Sequence, residues 1–263
     1  MSRKNFSEKK IKNFLERQYE HFHKRAYLKT DPLDIVYGFP EKERALVALI
    51  TAVFSYGRVS SINSFVKSLL LRLENEPTQF LKQHHTKSEL QKKCSGLVYR
   101  FYSNDDIVNF LHSIQLNLRQ WKDLNELAHY CWKVDHLLGL KNFQNSFLEK
   151  VPNSSRGLRF MFSDPSKSSA KRWHMFLRWM VRSDEIDLGL WDFIPTKNLL
   201  IPLDVHLFRI SRNLNLTQRK TTQLATTLEV SEALRKFDPH DPIRFDFSLC
   251  RWGMFESKTL SLN

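Results

Sequence analysis

The chain has 263 residues, of which 41% are hydrophobic and 13% are aromatic, so it can bury a large core as one domain or as two lobes. Its 41 Lys and Arg residues exceed its 28 Asp and Glu residues and give a formal net charge of +13, which favours polyanionic partners such as nucleic acid. This composition excludes a disordered chain, and the longest uncharged apolar run, residues 45–57, is too short to span a bilayer.

The three cysteines lie far apart in the sequence, at Cys94, Cys131 and Cys250. They offer neither a disulfide framework nor a zinc-ligand spacing. The N-terminal stretch MSRKNFSEKKIKNF lacks the apolar segment of a signal peptide. We therefore expect a protein of the reducing cytoplasm that does not associate with membranes. We also expect it to be a monomer.

Apolar residues recur at helical spacing rather than in strict alternation, and glycine is scarce, with 7 residues. This pattern predicts an all-α fold. The first 30 residues, with nine Lys or Arg and three acids, form a basic helical arm that the Pro- and Gly-containing stretch 31–40 ends. Predicted helices follow at about 43–56, 59–74, 79–85, 87–94, 104–117, 121–132, 142–149 and 157–162.

The second half of the chain begins with a loop at 151–157 and a long helix from about 169 to 182. A long connection, 183–202, follows, with room for a short helical turn at 187–191. The last predicted helices cover about 204–214, 217–236 and 242–254. We expect one functional unit over residues 1–263. It would have two helical lobes, about 40–150 and 151–263, a DNA-binding groove between them, and the arm 1–30 packed on the second lobe.

The stretch PSKSSAKRWHMFLRWMVRS (165–183) contains no acidic residue. Helical spacing predicts a buried stripe in it, made of Trp173, Phe176, Leu177, Met180 and Val181. The opposite face holds Lys171, Met175, Arg178 and Arg182. With no compensating acid nearby, the two arginines are expected either to contact phosphate or to lie on a solvated surface.

Lys171 opens this predicted helix, with Ser168 or Ser169 as its natural N-cap. A cation in the first turn opposes the helix dipole, and the adjacent Arg172 adds like charge. Both effects favour the neutral amine, which is a nucleophile able to form a Schiff base. The alternative interpretation is an ordinary surface lysine.

Asp204 lies in PLDVHLFRISRNLNL (202–216), directly before a basic amphipathic helix. Read alone, it is an N-cap whose carboxylate accepts a hydrogen bond from a first-turn N–H. The same carboxylate can support a developing cation in a water-poor cleft. Lys171 and Asp204 each begin a basic helix, so two such helix starts facing one groove would form a lysine–aspartate pair over a DNA backbone.

Two segments, SSAKRWHMFLRWM and PLDVHLFRISRNLNL, resemble the catalytic half of the helix-hairpin-helix DNA glycosylases. In that superfamily a lysine opens the helix after the hairpin, and an aspartate follows in a V-D-x-H-[IVL]-x-R-[VIL]-like block. The resemblance assigns the lysine place to Lys171 and the places in the block to Asp204, His206 and Arg209. Residues 45–70 are similar to the family's early helix pair, and the turn SYGRVSS stands where the family carries its DNA wedge.

The spacing between Lys171 and Asp204 is nearest to the archaeal 8-oxoguanine glycosylase branch. The sequence departs from the superfamily in two ways: DPSKSSAKR replaces the glycine-rich hairpin, and the C-terminal four-cysteine loop is absent. The whole chain also resembles a bacterial family of uncharacterised function marked by FLRWMVR, DLGLW, PLDVH and DPHDPIRFDFSLC blocks.

The resemblance implies a DNA base-excision glycosylase with AP-lyase activity, acting on an oxidised purine such as 8-oxoguanine in damaged double-stranded DNA. Lys171 would attack the sugar, Asp204 would stabilise its positive charge, and no metal or organic cofactor is implied. The residues expected at the DNA are Tyr56, Arg58, Ser168, Ser169, Arg172, Arg178, Arg182, His206 and Arg209. Trp191 and Phe54 are expected in the base pocket.

Several alternatives stay open. Trp191 can instead anchor its loop in the core, and Tyr56 with Arg58 can simply belong to a helix-ending turn. The whole chain can also be a non-catalytic nucleic-acid-binding module on the same scaffold. A metal-dependent nuclease would use the acidic loop DEIDLGLW (184–191) with Asp204 and His206.

Overall fold

The computed structural model describes residues 6–83, 85–151 and 156–255. Within these ranges the regular secondary structure is helical, apart from isolated bridges, so the predicted all-α fold is confirmed. Across the same ranges, no helix is both long and apolar enough to cross a membrane. The α-helices are α1 (Glu8–Phe22), α2 (Leu33–Tyr37), α3 (Glu41–Phe54), α4 (Val59–Arg72), α5 (Pro77–Lys82), α6 (Lys87–Lys93), α7 (Asn104–Gln120), α8 (Leu124–Cys131), α9 (His136–Leu148), α10 (Arg156–Met161), α11 (Lys171–Val181), α12 (Val205–Asn213), α13 (Leu224–Arg235) and α14 (Asp246–Phe255).

The chain divides into two compact units. The terminal unit combines both ends of the chain, Met1–Lys29 and Pro165–Asn263, and the central unit is Thr30–Asp164. The predicted boundary near residue 150 would have separated α10 from the central unit. Instead α10 packs on α7 there, so closely that a Cβ on Gly157 would lie 2.3 Å from a carboxylate oxygen of Asp106.

The core of the central unit is built around α3, whose residues Leu46–Phe54 are all buried. This confirms the helix that is predicted at about 43–56. The ring centroid of Phe54 lies 4.8 Å from that of Phe65 and 5.7 Å from that of Phe110, at interplanar angles of 63° and 80°. Such edge-to-face packing of aromatic rings adds to the hydrophobic gain from burial.

The terminal unit is built around α11 and α14. Every residue from Arg172 to Val181 is buried, so α11 is a central helix rather than an amphipathic surface helix. The N-terminal helix α1 packs along α14, where Phe14 meets Trp252 with ring centroids 5.0 Å apart. The basic arm of the sequence is therefore part of this unit's core.

The structure corrects four predicted element bounds. The stretch 31–40 is not a simple break but contains α2, α9 begins at His136 rather than near 142, and α13 begins at Leu224 rather than near 217. Residues 187–191 form no helix. There the Asp184 side chain accepts hydrogen bonds from the N–H groups of Ile186 and Asp187, both at 2.8 Å, which holds the segment in a turn.

Candidate functional site

Lys171 is the first residue of α11, as the sequence predicts, but the residue that caps the helix differs. The N-cap is Ala170, in the left-handed conformation with φ 40° and ψ 36°, and it makes no side-chain cap hydrogen bond. The Ser168 hydroxyl accepts from the N–H of Ala170 at 3.2 Å. Ser168 therefore shapes the turn before the helix, and the half-buried Ser169 is not the cap either.

Within α11, only Lys171 is more than slightly exposed. The ten residues that follow it are buried, which fixes the helix and leaves its first side chain at the edge of the packed interior. A left-handed alanine costs roughly 1–2 kcal/mol relative to an ordinary helical one. The turn therefore contains a strained residue, Ala170, directly before Lys171, and the conformation of Ala170 sets the position of Lys171.

Asp204 is the N-cap of α12 and uses its two carboxylate oxygens differently. Oδ1 accepts from the N–H of Leu207 at 2.8 Å, which is the predicted cap bond. Oδ2 accepts from the thiol of Cys250 on α14, with 3.7 Å between oxygen and sulfur. Asp204 is therefore a cap and, at the same time, the acceptor for a second side chain.

The Cys250 thiol connects Asp204 to Lys171. Burial raises the pKa of this thiol to about 12, and the negative charge of Asp204 adds to the rise. The positive charges of Arg251 and Lys171 act on the same thiol in the opposite direction. Lys171 and Asp204, 33 residues apart in the sequence, thus both lie within electrostatic reach of one sulfur atom.

One face of α14 positions these groups, because residues three and four apart lie on one side of a helix. Asp246, Cys250 and Gly253 share that face. A Cβ on Gly253 would lie 3.0 Å from Ile210 Cδ1 and 3.3 Å from His206 Cβ, so the glycine lets α12 approach α14 closely. The guanidinium of Arg209 donates to the Gly253 carbonyl oxygen at 3.3 Å.

The structure overturns the prediction for Arg178 and Arg182, which are neither solvated nor presented to phosphate. Arg178 is buried and donates to Asp187 at 3.1 Å and to Asp246 at 2.5 Å. Arg182 is buried and donates to Asp187 at 2.6 Å and to Asp241 at 2.9 Å. The acids that compensate these arginines come from other segments of the terminal unit.

Burial and the arginines act in opposite directions on these acids. Burial raises the pKa values of Asp187 and Asp246 above the ordinary range, although Arg178 opposes the rise in both. Burial also acts to raise the pKa of Asp184. The hydrogen bond with His23 at 3.0 Å and the positive charge of Arg182 outweigh burial, so the pKa of Asp184 is lowered. The network is thus held by guanidinium groups against a high cost of desolvation.

This network also accounts for the acidic loop that suggested a metal site. Asp184 and Asp187 bind the guanidinium group of Arg182, through Nη1 in both cases, rather than standing ready as metal ligands. In the part of the chain that the structure describes, no group of three or more His, Cys, Asp or Glu residues is arranged to hold a metal ion.

The two predicted base-pocket residues are core residues. The Trp191 side chain is fully buried, and its ring centroid lies 5.2 Å from that of Phe176. The backbone N–H of Trp191 donates to the Met180 carbonyl oxygen at 2.7 Å, so this residue anchors the loop after α11. Phe54 is fully buried in the central unit. Neither presents a face on which an extruded base can stack, so this prediction is wrong.

The other predicted contact residues differ in accessibility. Arg172 is buried, His206 is half-buried beside Gly253, and Arg209 is exposed. Tyr56 and Arg58 are exposed at the turn between α3 and α4 in the central unit. Their predicted role at DNA stays a prediction.

Sequence reasoning missed Cys250 and Asp246 as members of the site. In the sequence, Cys250 is one of three scattered cysteines without a disulfide or zinc-ligand spacing, and Asp246 is not a candidate for any site. Their spacing of four residues on a predicted helix was the available signal, since it places both on one face. What the spacing does not show is which helix that face meets.

A family model described as "Protein of unknown function (DUF2400)" matches residues 31–255 of the chain. The match includes Lys171, Asp204 and Cys250, and begins after α1. No curated protein and no solved structure matched the chain.

Proposed function

The chain belongs to the DUF2400 family, and we propose that it is a DNA base-excision glycosylase with AP-lyase activity that acts through a Schiff base on Lys171. One observation carries the proposal: Cys250 donates to Asp204, the N-cap of α12, at 3.7 Å, and Lys171, the first residue of α11, lies within electrostatic reach of the same thiol. An amine and a carboxylate so placed can serve one reacting carbon, the first as nucleophile and the second as stabiliser of positive charge.

In the proposed reaction the damaged base is first extruded, because C1′ cannot be reached inside a duplex. The Lys171 amine attacks C1′, its nitrogen–carbon bond forms as the base–sugar bond breaks, and the departing base takes the bonding electrons and a proton. Loss of a proton from the lysine nitrogen and opening of the sugar give the imine. Elimination of the 3′ phosphate then cleaves the strand.

The two oxygens of Asp204 support a division of labour in this reaction. Because Oδ1 is engaged by the N–H of Leu207, the orientation of the carboxylate is fixed by the helix it caps. Oδ2, whose partner is a thiol at 3.7 Å, is the oxygen that would face the cationic sugar and the lysine proton. A preorganised anion of this kind needs no rearrangement as charge develops.

The bulk charge supports a nucleic-acid substrate, since a formal net charge of +13 attracts phosphates through counterion release. The resemblance of the LDVHLFRI block (203–210) to the helix-hairpin-helix DNA glycosylases supports the reaction class. An oxidised purine, with 8-oxoguanine first, is the proposed lesion. The glycosylase-like fold, the activity and the substrate are proposed together because all three rest on the resemblance of residues 203–210.

A second function, a non-catalytic nucleic-acid-binding module, is favoured by a different observation. Three arginines expected at DNA, Arg172, Arg178 and Arg182, are buried, and no glycine-rich hairpin precedes α11. Buried arginines and a missing glycine-rich hairpin are expected of a chain that kept the scaffold but lost its phosphate contacts before and along α11. It would bind DNA without forming an imine.

The test is incubation with duplexes that carry 8-oxoguanine, thymine glycol or uracil, with borohydride present to reduce any imine to a stable adduct. We expect a covalent adduct with one lesion. It should disappear in Lys171→Ala and persist in the matched control Lys167→Ala, which removes an exposed lysine four residues earlier. Chelation of metals with EDTA should not change the result, whereas a metal-dependent nuclease would lose its strand cleavage.

An adduct that persists in Lys171→Ala would place the nucleophile elsewhere. Lesion binding without an adduct on any duplex would favour the non-catalytic module.

A further inference from the structure

Three aromatic rings from three separate elements of the central unit form an exposed cluster. Tyr56 follows α3, Phe101 precedes α7 and Phe160 belongs to α10. Their ring centroids are 5.6, 5.5 and 4.6 Å apart for Tyr56–Phe101, Tyr56–Phe160 and Phe101–Phe160. They are 44%, 49% and 37% exposed. We propose that this aromatic cluster binds unpaired nucleotides of single-stranded nucleic acid by base stacking.

Each of the three rings keeps an exposed part that a flat ligand can contact. Phe160 is near perpendicular to both Tyr56 and Phe101, with interplanar angles of 85° and 87°. In edge-to-face packing the edge of one ring meets the face of another, and the remaining exposed surface of each ring is accessible from solvent. A base can lie on such a face only when it is unpaired and unstacked, because neighbouring bases cover both faces inside a duplex.

Basic residues accompany the members of the cluster in the sequence. Three exposed arginines lie within two residues of its members in the sequence: Arg58, Arg100 and Arg159. In the described residues, none of these three arginines forms an ion pair, unlike the buried arginines of the terminal unit. Cations without carboxylate partners beside aromatic faces match a ligand that combines bases with phosphates.

The fold accepts conformational strain in order to place Arg100. Tyr99 and Tyr102 exchange backbone hydrogen bonds at 3.1 and 2.8 Å and so close a two-residue turn with Arg100 and Phe101 at its tip. Arg100 has φ 58°, in the left-handed region that favours glycine at such a turn position. An arginine at this position indicates that the side chain, rather than the turn, is what the site requires.

The neighbouring turn is shaped around that same side chain. Arg100 lies over the Tyr56 ring at 5.8 Å, and Gly57, at φ +111°, leaves the space the guanidinium occupies. A Cβ on Gly57 would lie 2.0 Å from Arg100 Nη2. The Tyr99 hydroxyl donates to the Tyr56 carbonyl oxygen at 2.7 Å and fixes the backbone below the ring. Two turns are therefore built to hold one cation against one exposed aromatic face.

This inference does not depend on the chemistry proposed for Lys171. Binding to the cluster is measured on the full chain by fluorescence anisotropy with an oligothymidylate strand, an oligouridylate strand and an abasic strand of equal length. The abasic strand is built from tetrahydrofuran phosphate units, which lack the aldehyde that an AP lyase attacks. We expect both base-bearing strands to bind roughly tenfold more tightly than the abasic strand at the same salt concentration. The two base-bearing strands also distinguish DNA from RNA as the source of the unpaired nucleotides.

Phe101→Ala should remove the advantage of the base-bearing strands and leave abasic binding unchanged. The matched control is Tyr130→Ala, because Tyr130 is also an exposed aromatic residue of the central unit, 58% exposed and 4.9 Å from Trp121. Its variant should bind like the parent. Lys167→Ala, which removes an exposed lysine of the terminal unit, should also bind like the parent.

Arg100→Gly distinguishes binding from folding. Glycine adopts positive φ without strain, so the variant should unfold at the same temperature as the parent or a higher one. It should nevertheless bind all three strands more weakly, with a salt slope lower by about one. Abasic binding equal to that of the other strands would overturn the proposal. So would a Phe101→Ala variant that loses binding to anionic lipid vesicles but not to oligothymidylate.

Discussion

The Asp204→Asn variant separates the two roles that the structure gives to one carboxylate. The asparagine side-chain oxygen can still accept from the N–H of Leu207, which is 2.8 Å from Oδ1, so the helix cap survives. What is lost is the negative charge beside Cys250. The fold and the electrostatics of the site are therefore expected to respond differently to this one substitution.

Loss of the capping role and loss of the charge should have effects of different size, the first on the free energy of unfolding and the second on turnover. Asn and Asp are about equally good N-caps, so Asp204→Asn should change the free energy of unfolding by only a few tenths of a kcal/mol. Asp204→Ala loses the cap at a cost of about 1 kcal/mol, which lowers the Tm of a chain of this size by roughly 2–4 °C. Loss of a preorganised charge at the reacting centre costs roughly 100- to 1000-fold in turnover.

A thiol assay measures the electrostatic change without any assumption about function. Burial, and after it the charge of Asp204, raises the pKa of Cys250 to about 12, so Asp204→Asn should lower that pKa and Lys171→Ala should raise it. Alkylation at about pH 10, where the thiolate fraction limits the rate, followed by mass spectrometry, should show Cys250 reacting faster in the first variant and slower in the second. Cys94 and Cys131, each with a pKa raised by burial to about 11, serve as internal controls.

Two results would refute this reasoning. Unchanged alkylation of Cys250 in both variants would mean that Lys171 and Asp204 do not share a site in solution. Full lesion excision by Asp204→Asn, with the parent's Tm, would leave Asp204 with the capping role alone.

Three further predictions concern residues of the terminal unit that pack around the site, namely Arg178, Asp184 and Gly253. Arg178→Met should lower the free energy of unfolding by roughly 3–5 kcal/mol in urea titration, since Asp187 and Asp246 would stay buried without their cation. Asp184 has a lowered pKa in the folded state, so its ionised form stabilises the fold above the unfolded value of about 3.9. The stability difference between the parent and Asp184→Asn should shrink as the pH falls below about 4. Gly253→Ala would place a methyl group 3.0 Å from Ile210 Cδ1, and overpacking should cost roughly 1–3 kcal/mol in the same titration.

Periodicity and capping residues predicted most of the helices, because those signals are local. The helix α2, which the sequence did not predict, was missed for a local reason as well. The stretch 31–40 looked like a break because of its Pro and Gly, yet Pro32 is the N-cap of α2 and Gly38 its C-cap. Proline is compatible with a helix start and glycine with a helix end, so the same residues bound a short helix.

The placement of Arg178 and Arg182 could not be predicted from their own segment. An acid-free stretch indicates a charged face toward solvent or phosphate when only neighbours in sequence are considered. Their partners lie in the loop after α11 and near α14, and Asp246 is 68 residues from Arg178. Only the tertiary fold brings those acids to the helix, and with them the buried network that replaces the predicted DNA contacts.

Ala170→Gly tests whether the turn before α11 is strained for the sake of Lys171. Ala170 is 3% exposed and has φ 40°, so glycine removes the left-handed strain of roughly 1–2 kcal/mol. Glycine's greater freedom in the unfolded chain offsets about 0.5–1 kcal/mol of that gain. We expect equal or slightly higher stability in urea titration, and a weaker borohydride-trapped adduct because Lys171 is held less rigidly. Ala170→Val should destabilise the chain, since a β-branched residue resists positive φ. A variant Ala170→Gly that loses more than about 1 kcal/mol of stability would show that the left-handed alanine is not a strained position.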